Sequence, residues 1–188
     1  MKKFKNRRGT VAVIEALQPV VMAFAVFMMV YLFLFQPHKV DGSSMYPNFH
    51  DKEFILTDKI SYRNTGPQRG DVIVFHAPAP FDSDFIKRVI GLPGEVIEVR
   101  DNKVYINAQL LKEDYLPNDY VTTEKSFLRD GVPYAIPDGY YMVFGDNRSY
   151  SSDSREWGPI ERKAIVGKAW VRYWPVNKIG MIQHEDYK

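Results

Sequence analysis

The 188-residue chain has no cysteine, which excludes a disulfide framework, a thiol nucleophile, an iron–sulfur cluster and any cysteine-bearing zinc site. Its four histidines, at positions 38, 50, 76 and 184, are too scattered to outline a metal site, so no metal and no cofactor is expected. A large excess of one charge is missing too: 25 Lys and Arg stand against 23 Asp and Glu. The balance is uneven along the chain. Residues 1–35 hold Lys2, Lys3, Lys5, Arg7 and Arg8 with a single anion, Glu15, which leaves 20 cations against 22 anions in residues 36–188. A slightly acidic body offers no electrostatic footing for nucleic acid. With 26% charged residues the chain is neither wholly disordered nor a polytopic membrane protein.

Charge is absent altogether from Leu17 to Phe35, a run interrupted only by Gln18 and Pro19. As a helix these nineteen residues would extend about 28 Å, close to the ~30 Å hydrocarbon core of a bilayer. Pro19 is expected in the first turn, where a missing amide costs little. A buried core helix would show a polar face, and this run has none. A cleavable signal peptide also begins with cations and an apolar run, but Gln36-Pro37-His38-Lys39 provides no small-x-small cleavage site. The reading is an uncleaved anchor: a basic cytoplasmic tail over residues 1–10, a transmembrane segment over 11–36, and a body over 37–188. The cations preceding the span place the N-terminus in the cytoplasm and the body outside the cell membrane.

The body reads as mainly β. Short apolar or alternating runs recur at Glu53–Thr57, Asp71–Phe75, Phe85–Ile90, Val96–Arg100, Lys103–Ile106, Tyr140–Phe144 and Lys168–Tyr173. Asp101-Asn102 predicts a hairpin turn, and Gly91-Leu92-Pro93-Gly94 a second turn. No strand–helix alternation is present, which argues against a doubly wound parallel sheet. The expected architecture is an antiparallel β-sheet domain with a small inserted β-rich segment near 101–138, preceded by one N-terminal transmembrane helix. One short helix is expected within that insertion, near Lys112–Tyr115.

Three polar clusters carry possible chemistry. Gly42-Ser43-Ser44-Met45-Tyr46-Pro47 follows the anchor closely, and alone it would read as a turn. In Asp84–Glu95, strand alternation puts Lys87 on one face with Phe85 and Val89, and Arg88 on the other. A lysine so placed ordinarily snorkels to solvent. Gly145–Arg155 alone would read as a surface loop, with Asp153 and Arg155 as a surface ion pair of little worth. Ser151, Asp153 and Arg155 are spaced by two, so an extended segment would project them to one side.

Taken together, these clusters resemble the type I signal peptidases of the short Gram-positive branch. The resemblance rests on Ser44-Met45-Tyr46-Pro47, Gly70-Asp71, Lys87-Arg88 with the Gly-Leu-Pro-Gly that follows, and Gly145–Arg148 followed by Ser151, Asp153, Arg155, Trp157 and Gly158. It spans nearly the whole chain, in order and after a single anchor. It implies a membrane-bound serine endopeptidase that removes signal peptides from exported preproteins, cleaving after small residues. Ser44 would be the nucleophile and Lys87 the general base. Ser151 would bond the lysine amine, Asp153 and Arg155 would form a supporting ion pair, and Arg88 and Asp146 would be structural neighbours.

Positions matching the family's side-chain pockets are Val40, Met45, Phe49, Phe85 and Ile86. Met45, Tyr46, Pro47 and Phe49 would otherwise form an exposed apolar patch, which contact with substrate or lipid explains. The Ser44 backbone amide is the first candidate for the oxyanion hole. Gly42 stands where some relatives carry a second donor, and Ser43 is the substitute to test. Asn48 and Ser149-Tyr150 also depart from the family's usual residues. Implied partners are signal peptides, the lipid bilayer and the protein-export machinery. Three rival readings are weaker. They are a Ser-His-Asp hydrolase using His50 or His76, an inactive membrane-tethered protein that binds signal peptides or assembles a secretion complex, and a self-cleaving repressor-type serine–lysine domain. Neither histidine has a motif context, Ser44 and Lys87 are both intact, and a repressor-type domain needs no anchor and carries a DNA-binding module.

Overall fold

The computed structural model describes residues 3–185 and Tyr187, with side chains from Val11 onward; Met1 and Lys2 of the basic tail lie outside the described residues. It falls into two compact units, residues 1–36 and 37–188. The first is one helix, α1 (Lys3–Leu34), whose stretch Val11–Leu34 has a mean hydropathy of 2.2. At 1.5 Å per residue these 24 residues extend about 36 Å, enough to cross a hydrocarbon core with some tilt. The helix begins well before the charge-free run, so Pro19 lies inside it and not in its first turn. Membrane-spanning helices tolerate such a proline where water, neighbouring groups or a local adjustment of the helix satisfies the freed carbonyl, here that of Glu15, four residues earlier.

The second unit is antiparallel β throughout its named strands. Its larger sheet takes β1 (Phe35–Lys39), β2 (Phe54–Asp58), β3 (Val72–His76), β4 (Asp84–Gly91), β9 (Tyr140–Phe144), β10 (Ile160–Glu161), β11 (Ile165–Trp174) and β12 (Gly180–Met181). The strand order is β1-β2-β11-β3-β4-β9-β10, with β12 against β11. The smaller sheet takes β5 (Val96–Arg100), β6 (Lys103–Ile106), β7 (Gln109–Leu110) and β8 (Tyr134–Ala135), ordered β7-β6-β5-β8. Asp101 and Asn102 join β5 to β6 with φ of 51° and 60°, the left-handed pair a tight hairpin requires.

Register shifts within β11 and between Val89 and Gly91 of β4 bend the larger sheet. Gly91 gives the bend room, because a Cβ there would press on the buried Ile136 side chain. Val40, Met45, Phe49, Ile55, Val72 and Val74 pack on one face of the bent sheet. Ile73, Phe75, Val89, Val143 and Ile160 pack on the other, with Trp157 against them. A third cluster, including Ile90, Ile97, Val99, Met142 and Phe144, welds the smaller sheet to β4 and β9.

The short helix expected near Lys112–Tyr115 is absent; residues 114–115 form a turn closed by Leu116 N–H to Glu113 C=O at 3.0 Å. The side chains of this segment are committed elsewhere. Glu113 pairs with Arg148, the Tyr115 ring lies 4.1 Å from the Arg88 guanidinium, and Pro117 follows.

Candidate active site

Strand β4 carries Lys87 into the interior. Cross-strand pairing sets Lys87 beside Ile73 and Arg88 beside Val72, so the two cations leave opposite faces. Lys87 is only 3% exposed. Its Nζ lies 2.8 Å from Ser44 Oγ and 2.9 Å from the Ile86 carbonyl oxygen, with the Phe85 ring centroid at 5.2 Å. Burial drives its pKa down from 10.5 to about 8, Asp153 and Asp146 pull the other way, and Lys125 adds to the lowering.

Ser44 sits in a loop pinned from both sides. The Gly42 N–H donates to Asp51 at 2.8 Å, the Asn147 N–H donates to the Ser44 carbonyl at 3.0 Å, and Asn147 Nδ2 donates to the Ser43 carbonyl at 3.0 Å. Gly145 allows the close approach. A Cβ there would fall 2.1 Å from Ser151 Oγ and 2.4 Å from the Ser44 carbonyl oxygen.

Behind the Ser44–Lys87 contact lie two buried ion pairs. Arg88 clasps Asp146 through Nε at 2.8 Å and Nη2 at 2.7 Å, and reaches the Gly70 carbonyl at 2.9 Å. Asn48 Nδ2 completes the Asp146 shell at 2.8 Å. Asp153 and Arg155 are fully buried and joined by bonds of 2.9 and 2.7 Å, so the pair is no surface salt bridge. Burial alone would raise the Asp153 pKa, but Arg155, the Gly145 amide and Ser151 together hold it below the ordinary carboxylate value.

The segment is not extended as its spacing suggested. Asp153 caps a single helical turn, α2 (Ser154–Trp157), and accepts from the Arg155 N–H at 3.2 Å. A capping Asp can serve its own helix and still pair with a guanidinium inside the first turn. Ser151 does not bond the lysine amine: its hydroxyl is buried without a well-aligned partner and lies against Asp153, while Lys125 Nζ donates to its carbonyl at 2.5 Å.

A groove of about 330 Å³ opens beside Ser44 and Lys87, lined by Val40, Ile55, Val74, Phe85 and Ile86, with His38, Asp84 and Ser152 among its polar residues. Val40, Phe85 and Ile86 thus line the groove. Met45 and Phe49, at 1% and 2% exposure, belong to the packed core and form no exposed patch; Tyr46 is the exposed member of that loop. Met45 and Phe49 stand four residues apart across a turn closed by the Phe49 N–H to the Met45 carbonyl at 2.9 Å, and both pack with Ile55 and Val72, where burial is worth more than exposure. Among the described residues no group of three or more His, Asp or Glu could hold a metal ion.

His50 pairs with Glu53 at 3.5 Å and His76 with Asp84 at 2.6 Å. The sequence reading gave no role to Asn48, Lys125 or Asn147, nor to Arg148, which is buried against Glu113, Thr122 and Tyr115. An arginine or amide in a polar loop looks like a solvated side chain until the loop is folded over it.

The sequence model described as signal peptidase, peptidase S26, matches residues 13–174. A signal peptidase IB of Staphylococcus aureus is 35% identical over 179 residues, covering 88% of this chain and 92% of that protein. A signal peptidase I of Leptolyngbya laminosa is 39% identical over 157 residues, covering 79% and 73%. A probable signal peptidase I-2 of Synechocystis is 36% identical over 157 residues, covering 80% and 68%. The crystal structure of a signal peptidase I from Enterococcus faecalis has 33% identity, a TM-score of 0.44, and covers 54% of this chain and 95% of that one. The chain belongs to the signal peptidase family, peptidase S26.

Proposed function

We propose that this signal peptidase removes signal peptides from exported preproteins with Ser44 as nucleophile and Lys87 as general base. The observation that carries the reading is a buried amine, largely deprotonated above pH 8, 2.8 Å from one hydroxyl. A neutral Lys87 has one lone pair; an N–H donated to the Ile86 carbonyl turns that pair toward Ser44. At pH 7 about a tenth of the amine is neutral if its pKa is 8.

Ser44 Oγ attacks the scissile carbonyl carbon while its proton passes to Lys87 Nζ. The tetrahedral oxyanion takes the Ser44 backbone N–H as one donor, with Ser43 as the residue to test for a second. Collapse expels the new N-terminal amine, which receives the proton from Lys87, and leaves an ester on Ser44. Water then attacks the ester, Lys87 accepts its proton, and the proton returns to Ser44 Oγ. Asp153–Arg155 and Arg88–Asp146 hold the walls of the site, and Ser151 packs between Gly145 and Asp153.

The groove beside the dyad suits an extended peptide, because β4 pairs with β9 only from Arg88 onward and leaves Asp84–Lys87 with a free edge. Val40, Ile86 and Phe85 leave room for small side chains next to the scissile bond. Residues 11–34 anchor the chain in the lipid bilayer with the N-terminus cytoplasmic and the body outside, where preproteins emerge from the export machinery.

The test is processing of a detergent-solubilised preprotein by the full chain and its Ser44→Ala and Lys87→Ala variants. Only the wild type is expected to cleave, and chelators are expected to have no effect. An active Lys87→Ala variant, or sensitivity to chelators, would overturn the dyad.

A further inference from the structure

Strands β1 and β4 stand first and fifth in the order β1-β2-β11-β3-β4. In a flat sheet their backbones would be about 19 Å apart, four strand spacings. Yet His38 Nε2 of β1 lies 3.1 Å from Asp84 Oδ2 of β4. The sheet therefore curls until these two strands face each other, and this side-chain contact closes the gap between them. Both residues line the groove that also holds Ser44 and Lys87. Asp84 lies two residues before Ile86 on the same face of β4, so the contact stands one side-chain position beyond the groove's apolar wall.

The contact is built as a chain. The second Asp84 oxygen is taken by His76 Nδ1 at 2.6 Å, the cross-strand neighbour on β3. His38 Nδ1 lies 2.9 Å from the hydroxyl of Thr57, which is buried on β2. That hydroxyl donates to Nδ1, which leaves Nε2 to carry the proton it gives to Asp84. One ring N–H on each histidine suffices for its bond to Asp84, so the chain needs no charged imidazole. The His38 side chain is 14% exposed, Asp84 25% and His76 70%, which makes His38 the sheltered link and His76 the outer one.

We propose that Thr57–His38–Asp84–His76 is a clasp that holds the two groove walls at a fixed separation and so pre-forms the peptide site. The clasp rests on the reading of the groove as the substrate cleft. Its residues are positioning residues: they act on peptide binding, and the Ser44–Lys87 chemistry proceeds without them. A pre-formed cleft spares the ordering entropy that binding would otherwise have to supply, so loss of the clasp appears in KM.

The experiment measures kcat and KM for the full-length protein in detergent on an internally quenched peptide spanning a signal-peptide cleavage site. For His38→Ala, KM is expected to rise about fivefold or more with kcat within about twofold of wild type. His38→Gln restores an N–H donor toward Asp84 and is expected to recover most of the loss. His76→Ala, at the exposed end, is expected to have the smaller effect.

A KM indifferent to His38, a fall in KM on its removal, a parallel loss of kcat, or failure of the glutamine variant to rescue a folded protein would each overturn the clasp. Thermal melts of the same samples separate these outcomes from misfolding. A wild type that does not cleave would sink the dyad reading and the clasp with it. A wild type that cleaves with an unresponsive KM would sink the clasp alone.

Discussion

At the scale of single residues, the site is dominated by the cost of burying an amine. A pKa of about 8 against 10.5 corresponds to about 3 kcal/mol by which the folded environment disfavours the ammonium. Two consequences follow with definite signs. Activity requires the neutral form, so kcat/KM should rise about tenfold per pH unit below 8 and level off above it. A profile flat from pH 6 to 9 would exclude a titrating lysine.

The stability consequence runs through linkage. Between about pH 8 and 10.5 the unfolded chain binds a proton that the folded chain has released, so this group makes stability rise with pH across that window. Lys87→Met removes the burden: denaturant melts should find it more stable than wild type at pH 7, by up to about 3 kcal/mol, with the gap closing toward pH 10. It should also be inactive, the exchange of stability for function expected where a site stores strain. Lys87→Arg should fail too, because a guanidinium does not release its proton in this range.

At the scale of elements, the decisive feature is the close passage of the Ser44 loop over the turn after β9. Gly145 leaves no room for a methyl between Ser151 and the Ser44 carbonyl. Gly145→Ala should therefore displace the Ser44 loop by an ångström or so and cost about a hundredfold in kcat, with the β-sheet spectrum and the unfolding transition retained. Near-native kcat in that variant would mean the loop position is not critical.

The same passage shows where sequence patterns run out. Apart from β1, strands of four residues or more are readable because alternation and turn residues bracket them: Val96–Arg100, Lys103–Ile106 and Tyr140–Phe144 coincide with β5, β6 and β9, and β2, β3, β4 and β11 shift by a few residues. Strands of two residues, β7, β8, β10 and β12, have no period to read. The five residues of β1 contain Pro37, which only an edge strand accepts. The Ser44, Lys87 and Gly145 boxes read singly as a turn, a snorkelling strand lysine and a surface loop, and only their order along the chain carries the resemblance. The clasp at His38 and the buried Arg148 depend on chain segments 46 and 35 residues apart meeting through curvature, which no local pattern encodes.

At the scale of the whole molecule, the charge is divided between two units of different solvent preference: an N-terminal unit with an apolar helix that carries all of the positive excess and a β body with slightly more anions than cations. All three hydrophobic clusters of the body fall between Val40 and Ile182, so each is built from residues of the body. A chain beginning at Phe35 keeps β1 and every residue assigned to the dyad and the clasp. It should unfold in one cooperative transition and cleave a soluble peptide with a kcat within about threefold of the full chain. Processing of a preprotein held in a lipid vesicle should fall much further, by about a hundredfold. Two partners tethered in one membrane meet at an effective concentration that a dissolved enzyme lacks. Equal losses on both substrates would mean that the helix acts on the site itself, and equal retention would mean that anchoring contributes nothing to capture. Protease added outside intact cells should, in the full chain, digest the body and spare the basic tail. The reverse pattern would place the dyad on the cytoplasmic side, where positive charge preceding the span argues it does not lie.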